Sequence, residues 1–363
     1  MRHINQLTLD LFMGLILSLH YPLNANASRV RPMLPTGLTF THRTTTHALF
    51  SPTEFYQTVR QYPDLIKLAH LDTIGMLRAT LVQPGLQTTL TRNLTSHQLT
   101  TSTNMIPQGS VTAGRYQLTT AYDATGQTQS VLYVQDRYRH QLRTTVILRG
   151  KPHVGGIAYD ATHHRIWLCS HRHGHGALVS ISLTALRQFD PTTSAAVHYQ
   201  QRWLLPDLTN ASLLTYHHHA LYVGQFKSGQ RTQLVRYPLT AAGKLTSQTA
   251  GNQSTLPQAM SDWHGSLPPN IQGLAFYHHY LLLSQSHGTK ASHLFLFKVD
   301  QRTQRYRRRN AVAAYRLPPQ LEQISIHQKR AQLLYEPGAA PYRHQQAHPI
   351  DRLISIELPR LIN

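Results

Sequence analysis

Carboxylates are scarce in this 363-residue chain, where 15 Asp and Glu stand against 35 Lys and Arg and 25 His. Two of the few, Glu322 and Glu336, lie close together in sequence, and Pro337-Gly338 follows the second. Placed beside His153, His171 and His287, they would supply oxygen and imidazole nitrogen to a divalent cation, the candidate cofactor. The same five groups could instead form carboxylate–imidazolium pairs at acid pH, the carboxylates favouring charged imidazole and raising its pKa. Gln108, Gln272 and Asp136 complete this candidate ligand-binding set. The plainer reading is that Glu322 caps strand backbone and Glu336 orders the turn at Pro337.

Only the fold can bring such distant residues together, and one stretch shows how. In Lys151 to His171, small residues (Gly155, Gly156) precede an apolar run, Ile157 to Tyr159. A polar turn, Asp160 to Arg165, leads to a second apolar run, Ile166 to Cys169. Two apolar runs of this length around a turn predict a β-hairpin. The pattern recurs from Met105 onward. Its leading segments are Pro107-Gln108-Gly109, His153-Val154-Gly155, Asn210-Ala211, Ile271-Gln272-Gly273 and Leu321-Glu322-Gln323. Equivalent positions are 46, 56, 62 and 50 residues apart, and a third strand follows in most copies. A mainly β repeat of this period predicts propeller blades. The expectation is an all-β propeller of about six blades, with five or seven also compatible.

Repeat phase then makes a geometric prediction. The first strand of each blade lines the central channel, and its start shares a face of the disc with the end of the second strand. Gln108, His153, Asn210, Gln272 and Glu322 would ring one mouth, surrounded by Asp136, His171, Gln225, His287 and Glu336. Solvated polar groups line every propeller mouth, so the ring alone does not establish chemistry.

The P-x-Q-G, G-I-A-Y-D and I-W-L motifs resemble the superfamily of secreted six- and seven-bladed propellers, over roughly residues 105–363. That group includes NHL-type repeats, bacterial surface propellers and calcium-dependent gluconolactonase-like enzymes. The resemblance implies a fold first. It also implies that Glu322 stands where those enzymes place a metal-binding Glu, although the accompanying Asn and Asp ligands have no clear counterpart here.

Residues 1–27 read as a secretory signal, with Arg2, the apolar run Leu11 to Leu19 and Ala25-Asn26-Ala27 before Ser28. Residues 28–104 form an N-terminal segment. Within it Ser51-Pro52-Thr53-Glu54 is a capping box, Phe55, Tyr56, Val59 and Tyr62 recur at helical spacing, and Pro63 ends that helix. The Thr-rich residues 74–104 make either a sixth blade or the strand that closes the last one. Signal removal leaves the formal charge at +20, which points to an anionic partner, a cell-wall polymer or other surface ligand. Export disfavours nucleic acid. A secreted or wall-associated monomer with no membrane span after signal cleavage is expected.

Three further features are weighed. Cys169, the only cysteine, fits a small core residue. His171-Arg-His-Gly-His175 has the alternation of a zinc or copper site, but its glycines fit a solvated loop better. Arg305 to Arg309 is an anion-binding patch or an exposed edge. No P-loop, G-x-S-x-G or H-E-x-x-H occurs, removing the commonest nucleotide, serine-hydrolase and metalloprotease readings. A non-catalytic binding or scaffold propeller is the leading expectation, and a metal-dependent lactonase-like hydrolase is the alternative.

Overall fold

The computed structural model describes residues 43–69, 80–193, 195–247, 256–299, 305–345 and 350–362. The predicted signal segment lies outside them. The chain is an all-β propeller. Among the described residues it has five four-stranded antiparallel sheets and one small hairpin.

Two short helices come first, α1 (Pro52–Arg60) and α2 (Pro63–Leu68). The capping box forms: the Glu54 amide donates to Ser51 Oγ at 3.3 Å, and the Ser51 amide donates to Glu54 at 2.7 Å. Phe55, Val59, Leu65 and Leu68 are buried in the core shared by the fourth and fifth blades. Strand β1 (Leu81–Val82) and the hairpin β2 (Thr89–Arg92) and β3 (Leu99–Ser102) follow.

Blade one comprises β4 (Met105–Ala113), β5 (Tyr116–Asp123), β6 (Val131–Asp136) and β7 (Gln141–Ile147). Blade two comprises β8 (Ile157–Asp160), β9 (Arg165–Arg172), β10 (His175–Ser182) and, after the helix α3 (Leu183–Gln188), β11 (Gln201–Leu205). Blade three is β12 (Leu213–His217), β13 (Ala220–Gly224), β14 (Thr232–Pro238) and β15 (Trp263–Leu267). Blade four is β16 (Ile271–Tyr277), β17 (Tyr280–Gln285), β18 (Ser292–Lys298) and β19 (Ala313–Leu317). Blade five has β20 (Leu321–His327), β21 (Arg330–Tyr335) and β22 (Arg352–Glu357), and its fourth strand is β1, paired Leu81 to Leu353. The stretch before the repeats therefore closes the last blade, the second of the two roles expected of it. Closure hides the edge β22 would otherwise expose.

The innermost strands β4, β8, β12, β16 and β20 follow one another around the axis. Small residues let them approach. A Cβ on Gly109 would sit 2.7 Å from Gln323 Oε1, and one on Gly156 would sit 2.6 Å from the Leu214 amide. The channel expected from repeat phase is bridged at this level by one buried side chain. Gln323 Oε1 accepts from the amides of Ser110 (3.0 Å) and Ile157 (3.3 Å), and its Nε2 donates to the carbonyls of Ile157 (2.7 Å) and Leu214 (3.4 Å). One amide from blade five thus ties blades one, two and three together. Outside it, where the inner strands begin, lies a cluster of polar side chains.

Candidate functional site

Three inner strands carry a register irregularity at the same place: between Pro107 and Gly109, between Ile271 and Gly273, and between Leu321 and Ile324. A bulge leaves residues out of the ladder and re-aims their side chains, a device common beside functional sites. Those residues are Gln108, Gln272, Glu322 and Gln323. Gln323 enters the hub. The other three meet in the polar cluster with Glu336, which follows β21.

Glu322 and Glu336 are 5% and 9% exposed and hydrogen-bonded to each other. Gln272 Nε2 donates to Glu322 Oε1 at 3.0 Å, and Gln108 Nε2 donates to Glu336 Oε1. Two ionised carboxylates in contact would repel, and burial disfavours each charge separately. Burial is the main cause that pushes Glu322 well above the usual carboxylate range, with the Glu336 charge and the hydrogen bond to it adding. Burial also lifts Glu336, to about 7, against the hydrogen bonds from Gln108 and Glu322 that favour its charge. The pair shares a proton at neutral pH, Glu322 donating and Glu336 accepting.

Two phenols stand over this pair. Tyr122, near the end of β5, and Tyr342, in the loop after Glu336, are hydrogen-bonded to each other. Burial, then the nearby Glu336 and Glu322, raises both pKa values, so both phenols stay protonated. The Tyr342 loop is pinned by its neighbour: Arg343 donates to the Leu86 carbonyl at 2.6 Å and to the Gly338 carbonyl at 3.1 Å. His153 stacks on Tyr122, ring centroids 4.3 Å apart. Its side chain touches solvent, yet the protein packed around it disfavours the charged form and lowers its pKa to about 4. The residue after it, Val154, has φ +50, an outlier for a β-branched side chain. Thr120 Oγ1 holds the Val154 carbonyl at 2.9 Å. Strain of this kind clusters at functional sites.

The structure thus assembles Glu322, Glu336, Gln108, Gln272 and His153, and corrects the rest of the predicted set. Asp136 lies at the opposite face of the disc. Blade one turns first at Gly114-Arg115, not at Tyr122-Asp123, so β6 is its third strand and Asp136 pairs across from Tyr116. There Asp136 binds the Arg115 guanidinium and the Tyr138 amide. His171 and His287 are exposed at blade margins. Among the described residues no group of three or more His, Cys, Asp or Glu is placed to hold a metal ion, so the five-residue cation site does not form. The expected rise in the His153 pKa is reversed, because desolvation of the ring by the protein packed around it disfavours its charged form. His171 to His175 form an exposed hairpin turn, with His173 and Gly174 at positive φ. Cys169 is buried in the core, and burial raises its thiol pKa.

Sequence reading missed Tyr122, Tyr342 and the hub role of Gln323. A Tyr follows the first apolar run in four of the five repeats, so Tyr122 has the look of ordinary pattern, and Tyr342 belongs to no repeat at all.

The hub and its blades define a propeller whose axis is bridged by Gln323 and carries a cluster of polar side chains on one face. No protein-family model matches the sequence, and no curated protein matches it significantly. Solved structures resemble the chain only at low similarity. A putative oxidoreductase (glucose dehydrogenase) from Thermus thermophilus is 11% identical, covering 76% of this chain and 92% of that one, with a TM-score of 0.39. The PQQ-bound aldose sugar dehydrogenase of Streptomyces coelicolor is 12% identical, covering 77% and 96%, at 0.37. A nidogen/laminin complex is 12% identical, covering 70% and 84%, at 0.38. Among the described residues no helix is long and apolar enough to cross a membrane.

Proposed function

We propose that this protein is a non-catalytic binding propeller whose axial polar cluster binds a small, neutral ligand rich in hydroxyl groups. The observation that carries this reading is the proton-sharing Glu322–Glu336 pair, set between two amides and roofed by two protonated phenols. Such a set offers donors and acceptors at fixed positions while carrying little charge, which suits a polyol or sugar better than an ion. The composition further supports an exported chain retained by charge at an anionic surface, since +20 survives removal of the N-terminal segment.

The test is thermal unfolding with hexoses, hexonolactones and inositol as probes. A ligand bound only by the folded state raises the melting temperature in proportion to its saturation. At least one probe is expected to do so, and Glu322→Gln, which keeps the shape but removes the shared proton, is expected to abolish the rise. If no probe shifts the wild type, the axial cluster is not such a site. A second reading is favoured by one observation: Glu322 is held protonated while Glu336 titrates near neutrality, an arrangement suited to general acid and base. Hydrolysis of a hexonolactone that persists with EDTA and disappears in Glu336→Gln would select it.

A further inference from the structure

Away from the axial cluster, on the same face, lies a chemically opposite recess. Its cavity is about 420 Å³ and is lined by Arg231, Arg305, Arg307, Arg308 and Arg309 over Pro268 and Pro269. A second cavity of about 420 Å³ adjoins it through Arg231 and adds Lys227, Thr209, Gln225, Gln233 and one carboxylate, Asp207, which accepts from the Tyr237 hydroxyl at 3.0 Å. Arg231 directly precedes β14 and Pro268 directly follows β15, so both cavities open where inner strands begin.

The arginine run is built in rather than loose. Tyr306 and Ser266 are joined by a backbone bond of 2.9 Å, and Arg305 bridges Ser266. Arg231 clamps the two segments, donating to Ser266 Oγ (3.1 Å), the Ser266 carbonyl (3.0 Å) and the Tyr306 carbonyl (2.7 Å). Arg308 lies over the Phe295 ring at 5.3 Å. Arg307 to Asn310 close into a single 3₁₀ turn that holds successive guanidinium groups on a short arc. Burial, then the charges of Arg305 and Arg307, pushes the Arg231 pKa down. Like charges are thus held together with no carboxylate among the residues lining the arginine cavity.

We propose that this double recess binds a linear phosphate polymer and reads its phosphates alone. This deepens, and rests on, the reading of an anionic surface partner. Planar guanidinium forks match phosphate oxygens in pairs, and two cavities joined at Arg231 form a trough rather than a socket for one ion. No aromatic side chain lines either cavity, and a site for single-stranded nucleic acid needs such platforms for its bases. The polymer therefore carries polyol or no substituent between phosphates, not bases.

The experiment measures binding of the full chain to short inorganic polyphosphate across a salt series. Two variants are compared, each losing two positive charges: Arg307→Gln with Arg309→Gln in the trough, and Arg139→Gln with Arg143→Gln on blade one. Each phosphate contact contributes about one unit to the slope of log affinity against log salt. The trough pair is expected to weaken binding at least tenfold and to lower the slope by about two, while the blade-one pair stays within about twofold. Equal losses in both would overturn the proposal, leaving only net charge. Trough-dependent binding that is stronger to an oligonucleotide of equal phosphate number, or confined to phosphatidylglycerol vesicles, would also overturn it, in favour of nucleic acid or a lipid surface. The thermal-shift result at the axial cluster is independent, so either reading can fail alone.

Discussion

The axial cluster and the arginine trough share one face of the disc but solve the problem of like charges in opposite ways. At the axis two carboxyls are buried in contact, and the protein relieves their repulsion by keeping a proton between them. At the rim several guanidinium groups crowd together, and no proton can relieve them because arginine does not deprotonate in proteins. Relief there comes from solvent and counterions, so it varies with salt. The difference teaches where each region's sensitivity lies: the axis answers to pH and geometry, the rim to ionic strength.

The largest expected effect separates the two by structure. Gln323 makes four hydrogen bonds into three neighbouring blades. Gln323→Leu would leave the Ser110 and Ile157 amides buried without partners, at a cost of about 1–3 kcal/mol for each group. A loss of roughly 3 kcal/mol or more in urea unfolding is expected. A loss comparable to that of a surface substitution would mean the hub is not held by this amide.

The second prediction concerns pH. Glu336 and Glu322 have folded pKa values raised above the unfolded carboxylate value, Glu336 to about 7. The folded state therefore holds protons that the unfolded state releases. The Glu336 contribution is complete below the unfolded pKa and is lost as pH rises through about 7. Between pH 5 and pH 8 the Glu336 carboxyl should cost the wild type stability on the order of 2 kcal/mol, and Glu336→Gln should flatten the curve. His153 acts in the other direction at lower pH. Its depressed pKa removes stability as pH falls from the unfolded value toward about 4. A wild-type curve that rises from pH 6.5 to 8, above the window in which His153 acts, would contradict the shared proton.

Much of this contrast was legible in the sequence, but unevenly. The repeat phase located the starts of β16 and β20, and with them Gln272, Glu322 and Glu336, because strand periodicity and turn residues report local geometry directly. It failed in blade one. There the Thr-rich β4 and β5 lack the apolar contrast that marks a strand elsewhere, and the tight turn at Gly114 passed for the interior of a run. Asp136 was consequently assigned to the wrong face. The bulges at Gln108, Gln272 and Glu322 have no local signature, since they arise from the closeness of five inner strands around one axis. The arginine run was visible as charge, whereas its clamp by Arg231 depends on a contact 75 residues away.

The smallest effect expected is at the rim, and its sign is the informative part. The Arg231 pKa is pushed down by burial first and then by the charges of Arg305 and Arg307, so the folded state holds a repulsion that the extended chain relaxes. Arg307 is partly exposed, and solvent screens most of the interaction. Replacing Arg307 by Gln should therefore raise stability slightly, by about a few tenths of a kcal/mol at low salt, and should change nothing measurable near 1 M salt, where charges are screened within about 3 Å. Thermal unfolding at two salt concentrations reads this directly. A substitution that stabilises the fold while weakening polyphosphate binding would mark the cluster as kept for its ligand at the expense of the fold, the trade-off common at functional sites. If Arg307→Gln instead destabilises the protein equally at both salt concentrations, the guanidinium is a packing group, and the rim then differs from the axis in composition but not in purpose.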